Sequence, residues 1–596
     1  MDARNGVIHE IDRVNEPLPT LETLLMGEDY SDFRNLIESK TDTGEPYYYT
    51  YLATPLATEY FKKMYPSLDI DIVFVKYYLT LYIPLNSERY IDYYSTNPIV
   101  YDAETGGHTL FAPNNDALKK FYNEIIEQYD YESIEELPRS VIEYFIDAHM
   151  VNSMVWPGDY NTSKNERGDF LNGEGKSGQG FDRAKYYDPK PASNGFFYGS
   201  NDYIKSRYFE TVYTEIMMRP NKYTMMNRAL REYPALLEEL LKCTINGYTD
   251  ENYTVLLLSD ELLAADGFSY TIEDGFANSN YTEASQRMQR LLRSHIFRRI
   301  HNSQIDARML NFDGDPAIGY DGYVYSINDY GDIIRYKDGK IQMLGNMDTG
   351  EAVTATMLKT FTNGQVFSID KLLLWSESET NATTINQRRL DDLIKLRQNN
   401  QNVRMYIDYI IYITSSQYFT STTATAPVNA TYGSGTLDVP DFKRFTMPDG
   451  LMTILMPNDE ALTQAIEGGY LRSLSAIRQQ IANSNGANFT YLDEAINFFR
   501  YHFSIGGLYI NDGYDKILLN TGRVQDYMPT ATAYKILINN TYLRFDKFEG
   551  NLRVSTDRSA HIASANVMRG FYRSNLLTAR AVMHEIDNFM LYKPLN

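Results

Sequence analysis

Three segments of the chain share one pattern of apolar and polar positions. In each, a run of three or four apolar residues meets a small residue or proline, then a polar pair, and then positions spaced as in an amphipathic helix. The segments are HTLFAPNNDALKKF from His108, YTVLLLSDELLAAD from Tyr253 and MTILMPNDEALTQAI from Met452. The pattern predicts a buried strand that runs into a helix, capped by Asn or Ser, with Asp116, Asp260 and Asp459 in the first turn.

A second element follows each of these segments. VIEYFIDAHMV, MQRLLRSHIF and INFFRYHFSI each show helical periodicity that ends at a histidine and continues into an extended apolar stretch. The histidines are His149, His295 and His502, which lie 33, 35 and 43 residues after the acidic residue of the first element. We therefore expect three helices that each end at a histidine.

A third element closes each unit. NGFFYGSNDYI from Asn194, NGQVFSIDKLLL from Asn363 and RAVMHEIDNFML from Arg580 predict a tight turn followed by a strand. A further copy, NGVIHEIDRV, starts at Asn5. The order of elements predicts three complete units preceded by the closing strand of a fourth unit, whose body is missing.

These elements, in this order, resemble the motifs of the fasciclin domain, which has a first motif like T-x-F-A-P-x-N-x-A, a central histidine motif and a closing N-G-x-x-H-x-I-D motif. The first motif is matched by Thr109, Phe111, Ala112, Pro113, Asn115 and Ala117, by Thr453, Pro457, Asn458 and Ala461, and more loosely from Thr254 to Asp260. The central motif is matched by His149, by His295 and by Tyr501 with His502. The closing motif keeps His9, Asp12, His584 and Asp587, whereas Tyr198, Asn201 and Phe367 stand at its variable places.

The resemblance implies tandem domains of the α+β class, each a wedge-like β-sandwich with packed helices. It predicts a closing strand at 1–17, a domain with long insertions at 18–220, a second domain at 221–375 and a third with insertions at 381–596. The segment SESETNATT from Ser376 is then a short polar linker. Fasciclin domains are generally extracellular adhesion modules and not enzymes, so the resemblance implies structural roles for the motif residues.

Composition narrows the classes of function. The chain has 596 residues and a formal net charge of -22, which argues against nucleic acid as the main partner, since phosphate binding needs clustered Lys and Arg. A single cysteine, Cys243, excludes an internal disulfide framework and a cysteine-rich zinc site. The chain shows no signal peptide. Its most apolar stretch, Ile72 to Leu85, is too short to span a bilayer, and its β-branched and aromatic content predicts one or two buried strands. The low cysteine count and long insertions resemble fasciclin surface lipoproteins of Bacteroidetes-type bacteria, which implies an outer-membrane protein held by an N-terminal lipid anchor missing from this chain.

Candidate chemistry is sparse, and we predict no catalytic residue, cofactor or metal. The histidines fall at equivalent places of the repeats and lack a partner nucleophile, so a core role is favoured over catalysis. FDGDPAIGYDGY, with Asp313, Asp315 and Asp321, does not match a calcium-loop spacing, and a solvated hairpin is favoured. Cys243 follows a helical apolar pattern, which favours a buried thiol.

Tyrosine is the anomalous residue type, with 51 in the chain. Many of these rings fit ordinary β-packing, but several cluster in insertions of the first unit, where they are candidates for a contact surface, sugar stacking included. The candidates are Tyr47, Tyr48, Tyr49, Tyr51, Tyr93, Tyr94, Trp156, Tyr186 and Tyr187. We therefore expect a non-enzymatic cell-surface adhesion protein that binds a protein or glycan partner, in the manner of accessory proteins of outer-membrane nutrient uptake. A glycan-processing hydrolase and a purely structural spacer are the alternatives.

Overall fold

The structure of the protein is a computed structural model. It describes residues 2–3, 6–7, 18–53, 55–78, 81, 83–86, 89–91, 100–102, 107–175, 178–249, 252–299, 317–318, 321–328, 330, 332–380, 382–415, 452–486, 488–505, 517–521, 542–548, 551–556 and 564–590. Helices and strands both occur throughout these ranges, so the predicted α+β class is confirmed. None of the helices in the described ranges is long and apolar enough to cross a membrane.

The chain divides into two compact units. The first comprises Met1–Glu251 with Thr360–Gly364, and the second comprises Asn252–Lys359 with Gln365–Asn596. The repeat boundaries given above stay predictions. In the predicted fourth closing strand, Gly6–Val7 pairs with Asp2–Ala3 as a short antiparallel ladder, whereas His9 and Asp12 lie outside the described residues.

Among its described residues, the first unit combines short helices with four separate sheets. Its helices are α1 Leu21–Leu25, α2 Ser31–Ile37, α3 Pro55–Met64, α4 Asn115–Phe121, α5 Arg139–Ala148, α6 Arg207–Glu210, α7 Tyr213–Met217, α8 Thr224–Glu232 and α9 Pro234–Leu240. Its strands are β1 Asp2–Ala3, β2 Gly6–Val7, β3 Tyr49–Ala53, β4 Phe74–Tyr78, β5 Arg89–Ile91, β6 Val100–Asp102, β7 His108–Pro113, β8 Met150–Val151, β9 Tyr186–Ala192 and β10 Gly195–Ser200. The largest described sheet of this unit has the order β8-β7-β10-β9, and β3 pairs with β4 outside it.

The second unit holds two large sheets. Its strands are β11 Asn252–Leu257, β12 Phe268–Thr271, β13 Gly275–Asn278, β14 Ile296–Arg299, β15 Ala317–Ile318, β16 Val324–Ile327, β17 Ile333–Lys337, β18 Lys340–Met343, β19 Val353–Phe361, β20 Gly364–Ile369, β21 Met452–Pro457, β22 Phe503–Ile505, β23 Ile517–Thr521, β24 Tyr542–Phe548, β25 Asn551–Thr556, β26 Ser564–Asn566, β27 Leu576–Thr578 and β28 Ala581–Ile586. Its helices are α10 Asp260–Ala265, α11 Ala284–Ser294, α12 Leu344–Thr349, α13 Ala382–Asn399, α14 Arg404–Ser415, α15 Asp459–Glu467, α16 Leu474–Asn483 and α17 Thr490–Tyr501. One sheet has the order β14-β11-β20-β19-β18-β17-β16-β15, and the other β26-β25-β24-β23-β22-β21-β28-β27.

The same local arrangement recurs three times across these sheets. A buried strand of the first element, β7, β11 or β21, lies between the short strand that follows a histidine and the closing strand, β10, β20 or β28. The closing strand runs parallel to the first strand in the two copies where the register is resolved, β7 with β10 and β21 with β28. Each histidine directly follows the last residue of its helix, α5, α11 or α17, as the periodicity predicts.

Candidate functional site

The three central histidines make the same pair of hydrogen bonds, here called the histidine clasp. Nδ1 lies 2.8, 2.7 and 2.9 Å from the carbonyl oxygen four residues earlier for His149, His295 and His502. Nε2 accepts from a backbone N–H beyond the closing strand at 3.1, 2.9 and 2.8 Å, the donors being Ile204, Leu373 and Met590. The expected burial is confirmed, because all three side chains are inaccessible to solvent.

The clasp fixes one neutral tautomer. Since Nε2 accepts a hydrogen bond, the ring proton resides on Nδ1, which donates to the helix carbonyl. Burial lowers the pKa of His149, His295 and His502 to about 4, because the charged imidazolium would be taken out of water without a counter-charge. An imidazole that is sealed from solvent and uses both nitrogens on the backbone has no nitrogen left for a metal or a substrate.

The ring position of the closing strand is also part of the core. Tyr198, Phe367 and His584 occupy it, and all three are buried. Tyr198 stacks on Phe111 with ring centroids 5.1 Å apart and donates its hydroxyl to the Val155 carbonyl at 2.9 Å. The different rings therefore fill one packing position.

The polar residues of the first motif cap helices. The side chains of Asn114, Ser259 and Asn458 accept hydrogen bonds from the N–H three residues later, at 2.8, 3.3 and 2.8 Å. The cap of α4 is thus Asn114, the residue before the predicted motif asparagine. Asn115 accepts instead from the backbone N–H of Asp32 at the start of α2, at 3.0 Å.

The third copy repeats this second cap, because Asp459 accepts from the backbone N–H of Met405 in α14 at 2.8 Å. Elsewhere in the motifs, Thr109 donates to the Ser153 carbonyl at 2.7 Å, and Asp587 accepts from the backbone N–H of Asn566 at 2.7 Å. Pro113 and Pro457 end their strands, and Tyr501 is buried. All of these contacts are internal to the fold.

Three of the aromatic residues predicted to form a contact surface are core residues instead. Tyr48, Tyr49 and Tyr186 are buried, because their rings pack against other rings of the first unit. Tyr186 also makes a short hydroxyl–hydroxyl hydrogen bond with Tyr160 inside this cluster. The prediction that these three tyrosines form part of a contact surface is therefore wrong. Tyr93 and Tyr94 lie outside the described residues.

The remaining candidates differ in exposure. Tyr51 and Trp156 are more than half exposed, whereas Tyr47 and Tyr187 are half-buried. Trp156 packs edge-on against Phe196 at 4.6 Å between ring centroids. The tyrosine hydroxyl of Tyr187 is within 3.2 Å of the Asn114 side chain, which donates to it.

The insertion that carries Tyr51 exposes many more apolar side chains than the sequence pattern predicts. Strand β3, helix α3 and strand β4 form it, and Thr58 of α3 accepts from the backbone N–H of Val73 at 2.8 Å. We call its exposed apolar side chains, each between 40% and 59% accessible, the insertion surface: Tyr51, Phe61, Met64, Tyr65, Leu68, Ile72 and Phe74. The sequence alone suggests buried strands from Ile72 onward, and the exposure of Ile72 and Phe74 corrects that expectation.

The insertion surface is uncharged as a whole and firmly attached at its base. Residues 55–78 carry three acidic and three basic side chains, so no net charge distinguishes the segment. At the base, Nζ of Lys76 lies 2.7 Å from Glu22 Oε1 and 4.0 Å from the ring centre of Tyr49. This partly buried ion pair ties β4 to α1, while the apolar side chains above it face solvent.

Metal and nucleophile chemistry finds no support in the described part of the chain. No group of three or more His, Cys, Asp and Glu side chains there is placed to hold a metal ion. Asp313 and Asp315 of the candidate calcium loop lie outside the described residues, and Asp321 accepts from the Tyr325 hydroxyl at 2.8 Å. Cys243 is buried, and desolvation raises the pKa of its thiol to about 11, which leaves it protonated and unreactive at neutral pH.

Comparison with known proteins finds distant likenesses among solved structures alone. No protein-family model matches the chain, and no curated protein matches it. Among solved structures, it is similar to a FAS1 domain pair from the insect cell adhesion molecule fasciclin I, with 12% sequence identity and a TM-score of 0.20. That alignment covers 61% of this chain and 95% of the insect chain.

Proposed function

We propose that this chain is a non-enzymatic interaction protein of the adhesion type, displayed at the cell surface, which binds a protein partner through the insertion surface. The observation that carries the proposal is the exposure of seven large apolar side chains on one insertion. Soluble proteins rarely leave so many apolar side chains of one short segment in water unless a partner covers them. The motif resemblance to fasciclin domains supports the adhesion class and the surface location.

A protein partner fits this surface better than a glycan or a bilayer. The aliphatic side chains Met64, Leu68 and Ile72 offer no hydrogen bonds to sugar hydroxyls, whereas methionine and aromatic residues are enriched at protein interfaces. The balanced charge of residues 55–78 gives no attraction to anionic lipid. Attachment to an outer membrane and service to a nutrient-uptake complex are the finer parts of this proposal, and they rest on the resemblance alone.

A photo-crosslinking experiment tests the proposal at the resolution of one residue. The photoreactive amino acid p-benzoylphenylalanine replaces Phe61 in the full chain. As the control, the same residue replaces Met357 on β19, which is 54% exposed against 40% for Phe61. Each chain is irradiated with the surface fraction of cells that make the protein. We expect a discrete adduct from position 61 and none of that size from position 357.

Competition then ties the adduct to the insertion surface. Unlabelled wild-type chain should suppress it, and a Leu68→Asp, Phe74→Ser chain should not. Both positions are more than half exposed, so the folded state should tolerate these changes, which circular dichroism and Trp156 fluorescence verify. Equal competition by the variant, or the same adduct from position 357, would refute the proposal.

A further inference from the structure

An exposed aromatic turn protrudes from the third copy of the repeat. Phe571 is 86% exposed and Tyr572 is exposed beside it, with their ring centroids 4.4 Å apart in an edge-to-face arrangement. Arg569 is exposed in the same turn. We call Arg569, Phe571 and Tyr572 the aromatic turn. It is far in sequence from the insertion surface and belongs to the second compact unit.

The turn interrupts the strand that precedes the closing strand. In the other two copies, β9 and β19 run for seven and nine residues up to the closing turn, whereas β27 has only three. The chain leaves the edge of β28 at Met568, whose N–H donates to the Glu585 carbonyl at 2.9 Å. It returns at Arg573, whose carbonyl accepts from the Glu585 N–H at 2.6 Å. Four residues, 569–572, are thereby extruded between two adjacent backbone anchors.

A buried polar network holds the base of the turn in place. The fully buried carboxylate of Glu585 accepts two hydrogen bonds from the Arg573 guanidinium, at 2.9 and 2.5 Å. Nδ2 of Asn400 donates to the same carboxylate at 2.7 Å and to the Tyr572 carbonyl at 3.0 Å. Gly199 and Ser368 stand at the position of Glu585 in the other copies, so the carboxylate and the extruded turn occur together.

The backbone of the turn is held in a costly conformation. Tyr572 has φ of 63°, a region that bulky side chains rarely adopt, and it directly follows the most exposed phenylalanine in the described ranges. Such conformations persist where the surroundings enforce them, and they concentrate at functional positions. A rigid turn presents its rings with little conformational entropy left to lose on binding.

We propose that the aromatic turn is a second docking element, which inserts Phe571 into an apolar pocket of a protein partner while Tyr572 and Arg569 contact the rim of that pocket. Phe571 is 86% exposed, so no cavity of this chain encloses its ring, and the pocket must belong to the partner. Two rings on a chain of net charge -22 are a poor anchor for an anionic bilayer. Aromatic and arginine side chains are the ones that dominate protein–protein hot spots. The inference uses different residues from the proposed function and holds even if the insertion surface is inert.

The test places p-benzoylphenylalanine at position 571 of the full chain. The matched control carries it at Ile272, which is 87% exposed on the β12–β13 turn and has no such network beneath it. Each chain is irradiated alone, with phosphatidylethanolamine–phosphatidylglycerol vesicles, and with the surface fraction of cells that make the protein. A discrete adduct with another protein, formed from position 571 and not from 272, supports the proposal. Adducts only with lipid or with a second copy, or no adduct at all, would overturn it.

Competition supplies the quantitative arm. Unlabelled wild-type chain and Ile272→Ser should suppress the adduct equally, whereas Phe571→Ser should compete about 30-fold less well, as expected for loss of a hot-spot side chain. Asn400→Ala keeps both rings but frees the Tyr572 carbonyl, and we expect it to compete several-fold less well than wild type. Equal competition by Phe571→Ser would overturn the docking element, and equal competition by Asn400→Ala would overturn the role of the tether. The adduct from position 61 should be unchanged by either substitution.

Discussion

The histidine clasp is the feature of the chain that single residues explain best. One imidazole satisfies the last turn of a helix through Nδ1 and a backbone N–H beyond the closing strand through Nε2. No aliphatic side chain could make both bonds, and a buried N–H without a partner costs about 1–3 kcal/mol. The three copies therefore keep histidine for its two nitrogens on opposite sides of one flat ring, without any need for its acid–base chemistry.

The clasp predicts how the second unit responds to acid. The unfolded state binds a proton on each histidine near its ordinary pKa of 6.5, whereas the folded state does so only near 4. Stability from His295 and His502 is therefore complete above about pH 6.5 and is lost as the pH falls towards 4. When the pH falls from 7 to 5, each histidine should lower the free energy of unfolding by about 2 kcal/mol.

A difference experiment isolates this contribution. Trp156→Phe leaves Trp375 as the single tryptophan, and urea unfolding is followed by its fluorescence with and without His295→Gln and His502→Gln. Glutamine offers a donor and an acceptor but does not titrate. Burial raises the pKa of Glu379 to about 7, so protonation of this carboxylate stabilises the folded state as the pH falls. The contribution of Glu379 is the same with and without the histidine substitutions and is removed when the two are subtracted. The Gln variant should show the smaller loss of unfolding free energy, and parallel pH profiles would contradict the assignment.

At the scale of single residues, the sequence predicts a contact correctly where the residue and its partner are close together in the chain. Helix ends, caps and burial follow from periodicity over a few residues, so the histidines and the cap residues Ser259 and Asn458 were predictable. The second cap, Asn115 or Asp459 on a helix more than fifty residues away in sequence, was not, because only the packed fold brings the two segments together. The same reason explains why Tyr48 is buried and Tyr51, three residues later, is exposed. The two tyrosines lie in one sequence cluster, but the fold places different residues around each of them.

At the scale of elements, the closing turn sets the distance between paired parallel strands. Gly195 has φ of 153°, and a Cβ added there would lie 1.9 Å from the His108 carbonyl oxygen of β7. The Asn194 side chain bonds the backbone N–H of Leu21 at 2.9 Å and the carbonyls of Pro84 and Leu85 at 3.1 Å each. The Asn-Gly pair thus combines a close backbone approach with a side-chain anchor, which a turn signal in sequence does not reveal.

We predict that Gly195→Ala destabilises the first unit by several kcal/mol, because backbone atoms of two paired strands must separate to admit the methyl group. Trp156 packs on the neighbouring Phe196 and is a direct probe, so Trp375→Phe serves as the background. Gly158→Ala is the matched control, since nothing lies within 4 Å of its added Cβ. A urea midpoint for Gly195→Ala equal to that of the control would show that the strand spacing is not restrictive.

The insertion surface and the aromatic turn show what sequence patterns cannot predict at this scale. Apart from Arg569 and Tyr51, their residues are apolar or aromatic side chains that a sequence pattern assigns to the core, and the strands from Ile72 were expected to be buried. Their exposure depends on whether another element covers them, and no local pattern encodes that. The buried Glu585 beneath the aromatic turn is equally hidden, because acidic residues in strands are ordinarily solvated.

At the scale of the whole molecule, the second compact unit contains two copies of the repeat, each with its own histidine clasp. Polar and apolar contacts, here called the junction, connect these two copies. The polar linker predicted from Ser376 contains buried Glu379, whose carbonyl accepts from Arg290 at 3.2 Å. Arg388 of α13 makes a bidentate ion pair with Asp348 of α12 at 2.6 and 2.9 Å, which lowers the pKa of that carboxyl. Apolar contacts join the same elements, with Leu344, Ile385 and Ala579 in one buried cluster.

The junction predicts that this unit unfolds cooperatively, since its two halves, the second and third copies of the repeat, share a partly buried ion pair and a buried apolar cluster that separation would expose to water. His502→Ala removes the acceptor of the Met590 N–H and leaves a cavity in the second half, which should cost about 2–4 kcal/mol. Trp375 lies in the first half. In the Trp156→Phe background, its urea transition should nevertheless shift to lower midpoint by an amount close to that caused by His295→Ala.

The first unit supplies the control for this coupling, because His149→Ala makes the same chemical change there. In the chain that retains only Trp156, it should lower the unfolding midpoint. In the chain that retains only Trp375, it should leave the transition of the second unit in place, because His149 belongs to the first compact unit and Trp375 to the second. If His502→Ala left the Trp375 transition unchanged, the halves of the second unit would unfold independently. The junction would then hold the two halves in contact without making them unfold together, and the repeats would behave as three domains.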